Sequence, residues 1–254
     1  MTVSIHGKDP RLRYCKDYLL RSAVGRGGKL LLLPIPSSRD GEHVTGTDER
    51  IDEVCAQLLG GDIIVGYGLP RAIRTSLASK GVFIIDVEHD EEYLMANANL
   101  TAIGTLGRIL TEESAAPCEL SVGIIGYGRI GQRLLYSLAF LGARVKVFTS
   151  KKELATDLCM LGISGADSLS LEKTPTAESF SGLDILINTA PARLIPACAA
   201  EALTGVRVIE LAGGDNIPAG ITYERFASVP AEMYPKSAGK ALSDSIFRML
   251  GQTH

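Results

Sequence analysis

Residues 122–131 read Val-Gly-Ile-Ile-Gly-Tyr-Gly-Arg-Ile-Gly, an apolar run that feeds Gly126, Gly128 and Gly131 in G-x-G-x-x-G spacing. A strand pattern (Leu120–Ile125) precedes the glycines, an amphipathic helical pattern (Ile130–Leu141) follows, and a second strand pattern (Arg144–Phe148) completes a βαβ unit. Gly126 permits a tight turn out of the strand, Gly128 lets the backbone approach a pyrophosphate, and Gly131 lets the new helix pack on its strand. The pyrophosphate is expected on the free N–H groups of the helix that begins near Arg129. Gly126, Tyr127, Gly128, Arg129, Ile130 and Gly131 are therefore the candidate dinucleotide turn, with a ligand-free glycine turn as the alternative.

The 254 residues suit two domains of ordinary size. In the first ninety, Val3–Ile5, Lys29–Pro34, Asp62–Val65 and Val82–Ile85 read as strands, separated by helices near Arg11–Ala23, Glu49–Leu59 and Ala72–Lys80. A helical pattern over 93–112 reads as a connector. Beyond it, strands are expected at Leu120–Ile125, Arg144–Phe148, Asp184–Asn188 and Val206–Leu211, with a further short piece around Ala166–Leu171. A last helix, Ser237–Leu250, follows Pro235. The expected fold is α/β: two Rossmann-like parallel-sheet domains joined by a long helix, with the C-terminal helix crossing back to the first domain. The divisions are 1–92 for an α/β substrate domain, 93–117 for the connector, 118–234 for the dinucleotide domain and 235–254 for the returning helix.

A net charge of −3, with no basic block longer than Lys151-Lys152, argues against nucleic acid as a partner. No apolar run reaches the ~20 residues of a membrane span, and no basic-then-apolar leader opens the chain. The five cysteines, at 15, 55, 118, 159 and 198, are scattered and free of C-x-x-C spacing, which suits small core residues in a reducing cytoplasm. The four histidines, at 6, 43, 89 and 254, stand apart from the cysteines, so no metal site is expected.

After the second strand of a βαβ dinucleotide unit, an acid normally accepts the ribose hydroxyls of NAD. Here the position reads Thr149-Ser150-Lys151-Lys152. Hydroxyls and ammonium groups suit a 2′-phosphate, so NADP is favoured over NAD; the alternative is a solvated first turn of helix. Thr189, Ala190 and Pro191 follow a strand end and are placed along the nicotinamide side. In a two-domain dehydrogenase the substrate meets the nicotinamide in the cleft between domains. The candidate substrate residues are Lys236 and Ser237 at the mouth of the closing helix, Arg193, the Ser37-Ser38-Arg39 turn, and Asn99 and Thr101 on the connector. Each also has a bland reading as a cap, a turn or a solvated surface residue. Neither His6 nor His89 stands out as an acid or base, so no catalytic residue is assigned.

Several segments together resemble the A subunit of dipicolinate synthase, the bacterial family that makes the spore calcium chelator during sporulation. They are Gly126-Tyr127-Gly128-Arg129-Ile130-Gly131, Leu141-Gly142-Ala143-Arg144-Val145-Lys146-Val147, Asp184-Ile185-Leu186-Ile187-Asn188-Thr189-Ala190-Pro191, Leu211-Ala212-Gly213-Gly214 and Tyr234-Pro235-Lys236-Ser237-Ala238-Gly239. The resemblance implies an NADP-linked oxidoreductase that converts dihydrodipicolinate, a small cyclic dicarboxylate, to dipicolinate. It also implies a small flavoprotein-like B subunit as partner; a homo-oligomer is expected. The chain departs from the family at Ile103, where an acid is usual. Two rivals stand beside this reading. A D-2-hydroxyacid dehydrogenase-like enzyme needs a late histidine, and only His254 lies beyond His89. The other is a dinucleotide-binding regulatory or partner protein without turnover.

Overall fold

The computed structural model describes residues 2–22, 28–149 and 176–251, together with the backbone of 166–170. The chain divides into two compact units, 1–100 with 230–254 and 101–229.

The first unit holds four parallel strands, β1 (Thr2–Ile5), β2 (Lys29–Leu32), β3 (Ile63–Gly66) and β4 (Phe83–Asp86), hydrogen-bonded in their chain order. Alternation sends Leu30, Leu32, Ile63 and Val65 into one apolar cluster and Leu31, Leu33 and Ile64 into another. Near-continuous apolar strands are what a sheet covered on both faces requires. Helices α2 (Ile51–Ala56) and α3 (Arg71–Ser79) supply the second cluster. The first is closed by α1 (Pro10–Arg21), the early part of α4 (Glu91–Glu112) and the C-terminal helix α7 (Pro235–Met249), which packs along α1. A Cβ on Gly239 of α7 would lie 2.5 Å from the Arg11 carbonyl oxygen, so glycine is what lets the two backbones meet. The C-terminal helix thus does return to the first unit.

Asp9 caps α1, accepting the Arg11 N–H at 3.0 Å, with Pro10 at the first helical position. Arg11 is only 2% exposed. Its Nε donates to the Asp9 carboxylate at 2.9 Å, and one terminal nitrogen donates to Tyr93 Oη and Asn97 Oδ1 on α4.

The second unit holds β5 (Ser121–Ile125), β6 (Arg144–Thr149), β7 (Ala166–Ser170), β8 (Ile185–Asn188), β9 (Arg207–Glu210) and β10 (Glu224–Arg225). All are parallel, in the order β10-β9-β8-β5-β6-β7. The piece expected around Ala166–Leu171 is therefore an edge strand, and β10 is an addition that its two residues gave no pattern to reveal. Val122, Ile124, Val147 and Ile187 pack under Leu134, Leu135 and Leu138 of α5 (Arg129–Phe140), while Ile125, Phe148 and Leu186 face the other layer. A short helix α6 (Val229–Met233) precedes α7. Arg207 at the start of β9 meets Glu112, Glu113 and Glu224, and Arg108 lies over the Phe226 ring at 3.7 Å.

Of the cysteines, Cys15 and Cys55 are core residues as expected, whereas Cys118 and Cys198 are exposed on turns; Cys159 lies outside the described residues. No helix among the described residues is long and apolar enough to cross a membrane.

Candidate dinucleotide site

The strand order of the second unit runs outward from β5 in one direction through β6 and β7, then returns to the other side of β5 with β8. At such a reversal the loops leaving two adjacent strands turn to opposite faces, and a crevice opens at their carboxyl ends. Gly126 and Thr189 stand there, directly after the paired residues Ile125 and Asn188.

Gly126 has φ +98°, a conformation that side chains rarely adopt, and its N–H donates to the Phe148 carbonyl at 2.9 Å. A Cβ on it would lie 2.7 Å from Thr189 Oγ1. At Gly131 a Cβ would come within 2.2 Å of the Gly126 carbonyl oxygen, so the helix can start against the strand only without a side chain there. Gly128 is different: its backbone is ordinary, and nothing lies within 4 Å of where its Cβ would be. The glycine that folding does not demand is the one that borders open space. Gly128 is also the N-cap of α5, and no side chain caps the helix start. An uncapped helix start beside a side-chain-free surface fits the pyrophosphate of a dinucleotide.

Around this turn, Arg129 is exposed and Ile130 leans on the core. Tyr127 is not a side chain for the ligand: it is buried, its hydroxyl 2.9 Å from that of Tyr136, and only its backbone borders the turn. Thr149 is buried at the end of β6; Ser150 and Lys151 lie outside the described residues. Thr189 donates both its N–H and its Oγ1 to the Ile125 carbonyl at 2.9 Å, stitching the two strand ends together. Ala190 is half-buried and Pro191 exposed.

The candidate substrate residues are distributed over both units. Arg193 is exposed and its guanidinium is committed to Asp215, through the carboxylate and through the backbone carbonyl at 2.8 Å. Ser37 is fully buried and accepts the Tyr67 N–H at 2.9 Å, making it a clip between strand-end loops and not part of an anion nest. Ser38 serves its own turn, donating to Asp40 and accepting the Gly41 N–H, and Arg39 is exposed beside it. On α4, Asn99 is exposed while Thr101 is buried, its carbonyl accepting Thr105 Oγ1. Lys236 and Ser237 are exposed in the first turn of α7, behind Pro235; the N-cap is Tyr234, so Ser237 does not cap the helix.

Asp86, Glu88 and His89 bring potential ligand atoms within 4.8 Å of one another. Asp86 Oδ1 already accepts the N–H groups of Gly68 and Glu88, and Oδ2 lies 3.6 Å from Arg74. With a guanidinium where a cation would bind, the group closes a strand end.

Sequence reading did not single out Glu210. It ends β9, is 0% exposed, and accepts Asn188 Nδ2 at 2.9 and 3.1 Å and the Ala212 N–H at 2.7 Å. Burial pushes its carboxyl above the usual range, against the pull of these donors. The available signal was an acid closing an apolar strand just before Leu211-Ala212-Gly213-Gly214.

No family model and no curated protein matches the sequence. Solved structures do match in fold. The A subunit of dipicolinate synthase from Bacillus halodurans superposes with TM-score 0.77 at 20% identity, covering 99% of this chain and 98% of that one. Its counterpart from Bacillus subtilis gives 0.76 at 16%, covering 99% and 96%. D-Lactate dehydrogenase from Escherichia coli gives 0.57 at 12%, covering 100% and 98%. The chain therefore has, along nearly its whole length, the two-domain α/β fold found in the A subunit of dipicolinate synthase and in D-lactate dehydrogenase.

Proposed function

We propose that this chain is an NADP-linked oxidoreductase that converts a cyclic dicarboxylate of the dihydrodipicolinate class to the aromatic pyridine dicarboxylate. The observation that carries the reading is the contrast among the three glycines. Two are required by close neighbours, and the third, Gly128, leaves open space beside an uncapped helix start at the strand-order reversal. The fold shared with two dipicolinate synthase structures supports the substrate class.

The Gly126–Gly131 backbone and the first turn of α5 hold the pyrophosphate, and Thr149, Ser150 and Lys151 receive the phosphorylated ribose. When bound, the dinucleotide supplies a hydride acceptor. The residues of the chain then need to orient the substrate and neutralise its carboxylates, since aromatisation itself favours the product. Lys236 and Ser237 suit one carboxylate: an ammonium, a hydroxyl and first-turn N–H groups stand together at the start of α7. A small flavoprotein-like B subunit is the proposed partner, a homo-oligomer the proposed assembly, and the cytoplasm, where free thiols stay reduced, the proposed compartment.

The test is turnover by the purified chain, alone and with a B subunit, on dihydrodipicolinate generated in the assay. NADPH should form faster than NADH. Oxidation of D-2-hydroxy acids in its place would transfer the protein to that class, and dinucleotide binding without turnover in either arrangement would make it a regulatory protein. In an active preparation, Lys236→Met should weaken apparent substrate affinity by about 1.5–3 kcal/mol with NADPH binding unchanged. Unaltered substrate kinetics would return Lys236 to the solvated surface.

A further inference from the structure

Among the described residues, Glu210 is a carboxylate with no exposure and no ion pair. Every hydrogen bond it makes is one that it accepts: Asn188 Nδ2 donates to both oxygens and the Ala212 N–H to one. Such a shell is satisfied by the ionised form alone, because a protonated carboxyl would place an O–H among donors. Cationic help comes from a distance. Arg225 on β10 spends its guanidinium on the carbonyls of Ala212 at 3.2 Å and Gly214 at 2.8 Å.

Asn188 passes the constraint on. Its Oδ1 accepts the Ala190 N–H at 3.2 Å while Nδ2 donates to the Ala190 carbonyl at 3.1 Å, folding the side chain onto the turn that contains Thr189. Thr189 Oγ1 in turn reaches the Ile125 carbonyl. It stands 2.7 Å from the Cβ position of Gly126 and 3.3 Å from that of Gly131. Hydrogen bonds and the single chain step from Ala190 to Thr189 thus lead from the Glu210 carboxylate to the Ile125 carbonyl, directly before Gly126.

We propose that Glu210 is a positioning residue of the dinucleotide site: as a carboxylate it holds Asn188, and through Asn188 and Thr189 it holds the Gly126–Gly131 turn in the form that takes the cofactor. The proposal rests on the dinucleotide reading above. Protonating Glu210 puts an O–H on one of the two oxygens that Asn188 Nδ2 now uses and removes the negative charge that strengthens the remaining bonds, so affinity falls as pH drops through the Glu210 titration. Burial moves that titration above the range of a free glutamate. The other ionisable group that acts on the carboxylate is Arg225 on β10, itself under the influence of Asp215, the partner of Arg193; β8 contributes only the amide of Asn188.

The experiment is fluorescence titration of the full chain with NADH across about pH 5–8, a span that covers a buried glutamate. NADH is the probe because it lacks a 2′-phosphate that would itself titrate. Wild type should lose affinity on acidification with a one-proton slope. Glu210→Gln should bind about tenfold more weakly at high pH, through loss of charge-assisted hydrogen bonds, and show no such slope. Thr189→Val, nearly isosteric, should weaken binding while keeping the slope; it carries the test if Glu210→Gln does not fold. A flat wild-type profile, or a slope that survives in Glu210→Gln, overturns the proposal. Wild type that binds neither NADH nor NADPH at any pH overturns the dinucleotide reading as well.

Discussion

The two sheets of this chain are made of the same material, short parallel strands rich in Val, Ile and Leu, yet they finish differently at their carboxyl ends. In the first unit the strands lie in chain order, and their loops are tied down by buried side chains. Asp9 accepts the Ile35 N–H at 3.2 Å, Ser37 holds Tyr67, and Asp86 holds Gly68 and Glu88. In the second unit the order reverses beside β5, and there the loop after β5 is held by backbone closeness at Gly126 and Gly131, while the side chains of Asn188, Thr189 and Glu210 tie down the loops after β8 and β9. A sheet without a reversal can clip its loops with side chains and lose nothing. At the reversal the turn after β5 keeps open space beside Gly128, and its closest contacts lie where a Cβ would not fit, at Gly126 and Gly131.

The comparison can be broken most forcefully in the first unit. Arg11→Met leaves Asp9 buried without its cation, which should cost about 3–5 kcal/mol in urea unfolding. Dinucleotide affinity of the folded protein should stay unchanged. A loss below ~1 kcal/mol would show that the Asp9–Arg11 pair is not what fixes these loops. Next in size is Gly128→Val. Its Cβ enters open space with ordinary backbone, so stability should stay within ~0.5 kcal/mol. NADPH affinity should nevertheless fall about a hundredfold, equivalent to about 2.7 kcal/mol, from blocking the approach of the pyrophosphate. Normal binding in a folded variant would reduce the glycines to a structural turn.

The smallest expected effect sharpens the comparison at the opposite end of the second sheet. Glu112 is held below its usual range chiefly by its hydrogen bond to Arg207, with Arg108 adding to it. A depressed carboxyl stabilises the fold above its unfolded pKa, and that stabilisation goes as pH falls through the folded value. Glu112→Gln should therefore show a shallower fall of Tm on acidification than wild type. Parallel Tm curves would show that the Arg207 group leaves stability unaffected.

The glycine turn was legible because it is local: spacing, preceding strand and following helix all lie within about thirty residues of sequence, the span of one βαβ unit. The edge strand near Ala166 was legible for the same reason. Arg11 and Glu210 were not. In the α1 pattern Arg11 looks no different from Arg13 or Lys16, and its burial arises from Tyr93 and Asn97, more than eighty residues away. Glu210 resembles any polar residue ending a strand until Asn188 of the neighbouring strand is set beside it. Ser37 misleads in the opposite direction, since Ser-Ser-Arg-Asp-Gly has the composition of an exposed turn, and the long-range partner Tyr67 draws only its first serine inside. Charge and polarity were read correctly as types; where each group is buried depends on strand order.

The packing of α7 along α1 bears on the order in which this protein comes into being on the ribosome. The second unit is one uninterrupted stretch, 101–229, and has all its parts once that stretch has emerged. The first unit is split: Leu12, Leu19 and the strands beside them emerge early, but Leu242, Ile246 and Phe247, which share their core, follow more than two hundred residues later. At a synthesis rate of about 5–20 residues per second that interval lasts at least ten seconds or so. For that time the core shared by β1–β4, α1 and the start of α4 lacks the side chains that α7 brings to it. The unit whose strands are made first is thus completed after the unit that follows it.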